Sequence, residues 1–525
     1  MQRSTIQPLL LAAALLASAP AWGQNLTTRV SVATGGGQTN ASSNRAGMAA
    51  YGRYVCFESN ATNLVPGDLN FVQDVFVHDM LLGTTERVSV GALGVEANGE
   101  SKRSVISGDG NRVAFISLAS NLVPLDLNLT YDVFVHDRLA GTTTRVSESA
   151  LGVEGNGLST RPDISDDGQF VAFRSLASNL VANDLNLVDD IFVRDLATGA
   201  LERVSVSTAG VEGNATSDRP SISGDGSRVA FWSDADNFVV GDLPLTRDVF
   251  VHDRTTGETI LVSVSLTGLP GNGPSSRPAI SADGRFVAFK SFASDLVPND
   301  TNLAGDVFVR DLLLGTTERV SVSSAGVEGN GLSSVPSISA DGRFVAFRSI
   351  ASNLVPNDWN NTEDVFLHDR TTGTTTLVSL NDANELGAGL STRPSISADG
   401  SMIAYQSLAP NLVANDTNLV EDVFVHQGSG GIPLPSRDVV VLTGPTLLST
   451  GTQGTWTWSQ APAGRPWWMA YSFSLTGSVV AGHPFDLGQP ATVLAQGVND
   501  IFGAGSFTSP VLPVSLAGRT AYLEV

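Results

Sequence analysis

The sequence predicts an all-β protein: a seven-bladed β-propeller closed by its N-terminal strand, followed by a small C-terminal β-sandwich-like domain. Two markers recur with a step of 58 residues. One is Asp-Gly, at Asp109, Asp167, Asp225, Asp283, Asp341 and Asp399, with Tyr51-Gly52 standing in for it in the first copy. The other is D-V-F-V-H-D or a near variant, beginning at Asp74, Asp132, Asp190, Asp248, Asp306, Asp364 and Asp422. Self-similarity at a fixed step marks an array of one supersecondary unit. The third observation is the content of the unit. Each copy holds four short β-branched or aromatic runs, and no window has the 3.6-residue apolar period of an amphipathic helix.

The sixth copy shows the elements in order. Val335 to Ser339 is the first run, Phe344 to Ser349 the second, Asp364 to His368 the third and Thr374 to Ser379 the fourth. Asp341-Gly342 joins the first pair tightly and Thr371-Thr372-Gly373 the second. Four strands make one blade, and seven copies fall within the usual range of about four to eight blades. The outer-strand signature R-V-S or L-V-S places Val30, Val88, Val146, Val204, Val262, Val320 and Val378, whereas the last copy stops at Val425-His426-Gln427 without one. Thr27 to Val32 is therefore an outer strand with no blade of its own. Its natural partner is the incomplete seventh blade, and that pairing would hide the edges an open array exposes.

The ends differ in kind from the repeat. Arg3, the apolar stretch Leu9 to Leu16 and the small residues before Gln24 have the layout of a cleavable secretory signal over residues 1–23. That apolar run is too short to span a bilayer, and no later segment approaches the necessary length. A periplasmic or extracellular protein is expected, with the propeller over 24–427. Gly428 to Pro435 reads as a flexible linker, assigned to 428–436. In 437–525, Trp456 and Trp458 alternate with Thr455 and Thr457, Trp467 and Trp468 follow, and apolar runs bounded by Gly and Pro continue through Tyr522. These tryptophans either fill a sandwich core or stack on sugar rings.

Composition narrows the partners. The formal net charge of −22 counts against nucleic acid and against an anionic membrane, since both require clustered Lys and Arg. It suits cations or basic partners, and equally it keeps a secreted β protein soluble. The lone Cys56 occupies a position held by Ala114, Ala172, Ala230, Ala288, Ala346 and Ala404 in the other copies, so it reads as a small core residue rather than a nucleophile.

The stretch S-I-S-A-D-G-R-F-V-A-F at 337–347, followed by D-V-F-L-H-D and the strand G-T-T-T-L-V-S, resembles the repeat of TolB-type propellers, whose pattern is S-P-D-G-x-x-I-A-F, an aliphatic strand and a final L-T. The resemblance covers all seven copies. It implies a propeller, a periplasmic setting and envelope partners. The extra N-terminal domain of TolB has no counterpart between the expected signal and the first blade.

In an up-and-down meander the loop between strands two and three shares a face with the connection between blades, and the tight turns lie on the opposite face. The long loop reads N-L-V-x-x-D-x-N-x-x-x-D. It supplies Asp68, Asn70 and Asp74; Asp126, Asn128 and Asp132; Asp184, Asn186 and Asp190; Asp300, Asn302 and Asp306; Asp358, Asn360 and Asp364; and Asp416, Asn418 and Asp422. Oxygens at positions 1, 3 and 7 resemble the start of a calcium loop, which makes calcium the one cofactor the loops could hold. The match stops short of an EF-hand, because five extended residues carry the next acid roughly 16 Å away. Equally, Asp and Asn can order a long loop through Asx-turns to its own amides. Copy four, with Pro244 in place of Asn, should be the poorest metal site.

Immediately after each inter-blade connection, Arg45, Arg103, Arg161, Arg219, Arg277 and Arg393 begin the innermost strands, with Val335 breaking the series. Innermost strands line the central channel, so these arginines should ring its mouth. They could hold a carboxylate or phosphate ligand, or be neutralised by Glu96, Glu154, Glu212 and Glu328. His78, His136, His252, His368 and His426 end the third strands about a blade apart, too far for a shared zinc site, and read as packing residues.

No nucleophile elbow, zincin helix or P-loop is present. The expectation is a secreted, non-enzymatic, monomeric propeller that binds an envelope or extracellular protein or polysaccharide through its long-loop face, with calcium as a candidate aid. The alternative is a polysaccharide-acting lyase or hydrolase with a site at the channel mouth.

Overall fold

The computed structural model describes residues 26–242 and 246–428, together with the backbone of four short strands in the tail. The expected signal over 1–23 and most of the linker and tail lie outside the described residues. Within the tail, Thr455–Trp458 pairs with Gly505–Thr508 and Pro466–Tyr471 with Thr492–Val498, both antiparallel. No helix among the described residues is long and apolar enough to cross a membrane.

Blade 1 is formed by Ser43–Met48, Tyr54–Ser59, Asp74–Asp79 and Thr84–Arg87, in that order from the channel outward. The same four-stranded antiparallel sheet recurs through blade 6, whose strands are Ser333–Ile338, Phe344–Ser349, Asp364–Asp369 and Thr374–Leu377. Blade 7 takes three strands from the end of the repeat, Ser391–Ile396, Met402–Ser407 and Asp422–Gln427, and its outer strand is Leu26–Arg29 from the start. Leu26 pairs with Gln427 and Arg29 with Phe424, so the two extremities of the array fasten the ring as the strand phase predicts.

Outer strands end sooner than the R-V-S signature suggests. In blade 1 the strand stops at Arg87 because Ser89 turns inward, where its hydroxyl donates to Asp74 Oδ1 and accepts from the Val75 amide. The next stretch of chain then shields the free edge of the following blade. The Thr85 amide donates to Thr34 Oγ1, and the Thr85 hydroxyl to the Val32 carbonyl. Occupied edge groups are unavailable to another chain.

Alternation along the second and third strands supplies the core. Phe57 and Phe76 stack at 5.8 Å, as do Phe173 and Phe192, and the equivalent pairs repeat round the ring. The buried residues form clusters that each bridge two adjacent blades, and the cluster containing Val30, Met48, Phe57, Met402 and Val425 joins blade 7 to blade 1. Cys56 is fully buried in the cluster between blades 1 and 2, and burial pushes its thiol up to about 12, which leaves it inert.

The Asp-Gly turns carry two constraints at one residue. Gly226 has φ +71, and a Cβ there would lie 2.2 Å from the Phe170 ring of the preceding blade. Only glycine meets both demands.

Candidate functional site

Two polar constellations occupy the long-loop face. The outer one is built from the N-L-V-x-x-D-x-N-x-x-x-D loops. In blade 1, Asn70 Oδ1 accepts from the Val72 amide, and Asn70 Nδ2 donates to Asp74 Oδ2 at 2.7 Å and to the Ala97 carbonyl at 3.0 Å. The same Asx-turn is made by Asn128, Asn186, Asn302, Asn360 and Asn418. Each asparagine thus spends its oxygen on its own loop. The carboxylate oxygens of Asp68, Asp74 and Glu96 lie within 4.8 Å of one another, as do those of Asp126, Asp132 and Glu154, and of Asp184, Asp190 and Glu212.

A cation from the protein already stands at these clusters. Arg87 Nη1 lies 3.4 Å from Asp68, 3.6 Å from Asp74 and 2.5 Å from Glu96. Arg203 meets Asp184, Asp190 and Glu212 in the same way, and Arg319 meets Asp300, Asp306 and Glu328. In blade 2 Arg145 bonds Glu154 at 2.6 Å, and in blade 7 Arg29 lies 3.1 Å from Asp416 and 3.7 Å from Asp422. Blade 6 has Leu377 and Leu386 at the arginine and glutamate positions, while Asp358 and Asp364 remain. Burial, reinforced in each by the second aspartate, pushes Asp68, Asp126, Asp184 and Asp358 up to about 6.

This arrangement corrects one expectation. Glu96, Glu154, Glu212 and Glu328 neutralise the outer-strand arginines Arg87, Arg145, Arg203 and Arg319, not the channel ring. The connection that carries each glutamate folds against the outer half of the sheet, away from the channel.

The inner constellation is the channel mouth. Arg45, Arg103, Arg161, Arg219, Arg277 and Arg393 all stand at φ between 51° and 58°, as does Val335 at 53°. The innermost strand bulges at this residue, with the register shifting between Asn44 and Gly47 in blade 1 and at the matching place in every other blade. The bulge frees a backbone amide, and a neighbouring blade takes some of them up. The Arg45 amide donates to Gln406 Oε1 at 2.9 Å and the Arg103 amide to Glu58.

The guanidinium groups are close enough to repel one another. Burial and then the neighbouring Arg45 and Arg161 bring Arg103 down to about 10, and burial with Arg161 and Arg277 brings Arg219 down to about 9. Arg45 lies 3.7 Å from Glu58 and Arg161 2.7 Å from Asp218. Among the described residues no carboxylate forms an ion pair with Arg103, Arg219, Arg277 or Arg393. A cavity of about 340 Å³ opens between blades 7, 1 and 2, lined by Asn44, Arg45, Glu58, Gln73, Lys102, Arg103, Arg393, Gln406 and Glu421. Glu58, buried among these groups, is pushed up to about 7.

Several mouth residues escape a reading that looks for what the copies share. The fifth residue of the second strand is Glu58, Ile116, Arg174, Trp232, Lys290, Arg348 and Gln406 in turn, while the neighbouring positions hardly change. The residue before the third strand is Gln73, Tyr131, Asp189, Arg247, Gly305, Glu363 and Glu421. Some of these pair locally: Arg174 with Asp189 at 2.5 Å, Arg348 with Glu363 at 2.6 Å and Arg247 with Asp234 at 3.0 Å. Lys290 has no acid partner among the described residues, and burial with Arg277 and Arg348 brings it down to about 8. Divergence between copies was the available signal, since the fold makes no demand for variety there.

The histidines are structural. His78 Nδ1 lies 2.9 Å from Thr85 Oγ1, whose single proton goes to the Val32 carbonyl, so Nδ1–H is the donor. Where arginine replaces histidine, Arg310 donates to Thr317 Oγ1 at 3.0 Å and Arg194 to the Val146 carbonyl at 3.1 Å.

No model of a known protein family matches the chain. Dipeptidyl-peptidase 5 of Porphyromonas gingivalis is 29% identical over 99 residues, which span 19% of this chain and 13% of that protein. An oligogalacturonate lyase in complex with manganese superposes with a TM-score of 0.47 at 10% identity, covering 76% of this chain and 92% of that one. TolB from Acinetobacter baumannii superposes with a TM-score of 0.34 at 14% identity, covering 72% and 81%. These likenesses concern architecture and assign no chemistry. The chain carries a seven-bladed β-propeller closed by its N-terminal strand.

Proposed function

We propose that this chain is a secreted, non-enzymatic binding protein that holds an anionic group of an envelope or extracellular protein or polysaccharide in the mouth on its long-loop face. The observation that carries the reading is the set of partly buried cations without a carboxylate partner among the described residues: Arg103, Arg219, Arg277, Arg393 and Lys290. Like charges held together out of water are costly, and an anion entering the mouth would offset that cost. The repeat fold would be equally well served by neutral residues here, as Val335 and Ile116 illustrate.

The loops are ordered by their Asx-turns and, in blades 1, 3, 5 and 7, by a built-in guanidinium that contacts both loop aspartates. On this reading calcium is dispensable for folding, so millimolar calcium or EDTA should leave the melting temperature unchanged. A calcium-dependent rise would return the loops to the metal reading.

One observation favours a second reading, a polysaccharide lyase or hydrolase. A carboxyl near neutral pKa beside arginines, as at Glu58, has the properties of a general acid or base. Incubating the full chain with a panel of uronate polymers, with calcium or manganese, separates the two. Saturable binding without unsaturated products or new reducing ends is expected; their appearance would establish an enzyme.

A further inference from the structure

The long loops present an apolar crown that the channel mouth does not explain. All of them join the second strand to the third and so lie on one face. In the six loops described in full, no exposed residue is charged, although the chain carries 52 acids and 30 bases. At the tips stand Phe71, Leu129, Leu187, Leu303 and Leu419, with Leu129 87% and Leu303 92% exposed.

Each of these residues has φ of 56° or 57°, a left-handed conformation that bulky side chains adopt only with strain. Glycine or asparagine would relieve it at no loss of packing, since these side chains touch little. Blade 6 shows the alternative. Asn361 takes the left-handed position at φ 54, and Trp359, two residues earlier and 75% exposed, supplies the apolar group instead. A large apolar tip is thus kept in every fully described loop against both strain and exposure.

We propose that this crown docks on a lipid surface with zwitterionic headgroups, its tips entering the interface. The tips are separate, one blade apart. A rigid protein would need a matching ring of pockets, whereas a fluid interface accommodates each tip independently. The absence of exposed charge in these loops leaves no ion to desolvate on contact. The net charge of −22 turns the molecule away from anionic membranes, and a second copy would bring two cationic mouths face to face.

Cosedimentation of the full chain with phosphatidylcholine vesicles tests this, at low and at half-molar salt. Salt-insensitive binding is expected, reduced at least tenfold in the variant L129N/L187N/L303N/L419N. That variant should melt no lower than the parent, because asparagine suits the left-handed backbone. Independently, brominated phosphatidylcholine should quench the fluorescence of the parent more strongly than that of Trp359→Phe. The proposal is overturned if the parent does not sediment with vesicles, if the asparagine variant binds equally, or if quenching is as strong without Trp359. A dimer in solution that the asparagine variant abolishes, with no vesicle binding, would assign the crown to a second copy.

Discussion

At the scale of single residues, the third-strand histidines show how one hydrogen bond sets a tautomer while burial sets a pH response. His426 lies 2.9 Å from Thr27 Oγ1 at the junction of the two chain ends, and burial, only partly opposed by Asp382, brings it down to about 4. The unfolded chain titrates near pH 6.5, so on acidification the unfolded state takes up the proton first. Stability is therefore lost between about pH 6.5 and 4. Urea unfolding should show the parent losing about 2–3 kcal/mol more than His426→Gln across that range. A parallel pH dependence in the two proteins would contradict the assignment. Lys290 works in the opposite sense, as a group the fold holds at a cost. Lys290→Gln should raise stability by about 0.5–2 kcal/mol in thermal unfolding while weakening anion binding. Destabilisation would show that the Phe292 ring, whose centroid lies 4.1 Å from the ammonium, satisfies it.

At the scale of elements, loop and turn are each held by one residue that the repeat cannot vary freely. Arg203 is the counter-ion for Asp184, Asp190 and Glu212. Arg203→Met should cost about 3–5 kcal/mol at pH 7.5, because it strands buried carboxylates. The loss should shrink near pH 5, where Asp184, pushed up to about 6 by burial, takes up a proton; urea titration at the two pH values checks this. Gly226→Ala forces both a left-handed φ and a clash with Phe170, and a destabilisation above about 2 kcal/mol is expected. The element boundaries were legible wherever glycine, proline or alternation marks them. Asp364–Asp369 and Phe344–Ser349 stand almost where the apolar runs place them. The outer strands were overread, because Val-Ser continues the β pattern while Ser89 and its equivalents leave the sheet to bond an aspartate across the blade. The inner-strand bulge at Arg45 was not legible at all, since nothing in Ser-Asn-Arg-Ala announces positive φ.

At the scale of the whole molecule, identity between copies builds the ring and difference between copies marks the mouth. The ring was readable from the step of the repeat and from the unpaired strand at its start. Its closure implies that deleting residues 26–29 should destabilise all seven blades together, seen as a single shifted transition in calorimetry. The mouth was only half readable. The six arginines were plain as a series, but their counter-charges were misassigned, because chain proximity put Glu96 and its equivalents beside them and the sheet carries those acids outward. The cavity lining drawn from blades 7, 1 and 2 required the curvature of the ring. The most direct test of the account is calorimetric titration of a uronate oligomer into the parent and into Arg277→Gln/Lys290→Gln. Saturable binding to the parent is expected, with at least a tenfold loss in the variant and a melting temperature no lower than the parent's, since each lost charge-assisted hydrogen bond is worth about 1.5–3 kcal/mol. Equal affinity in the two proteins would contradict it.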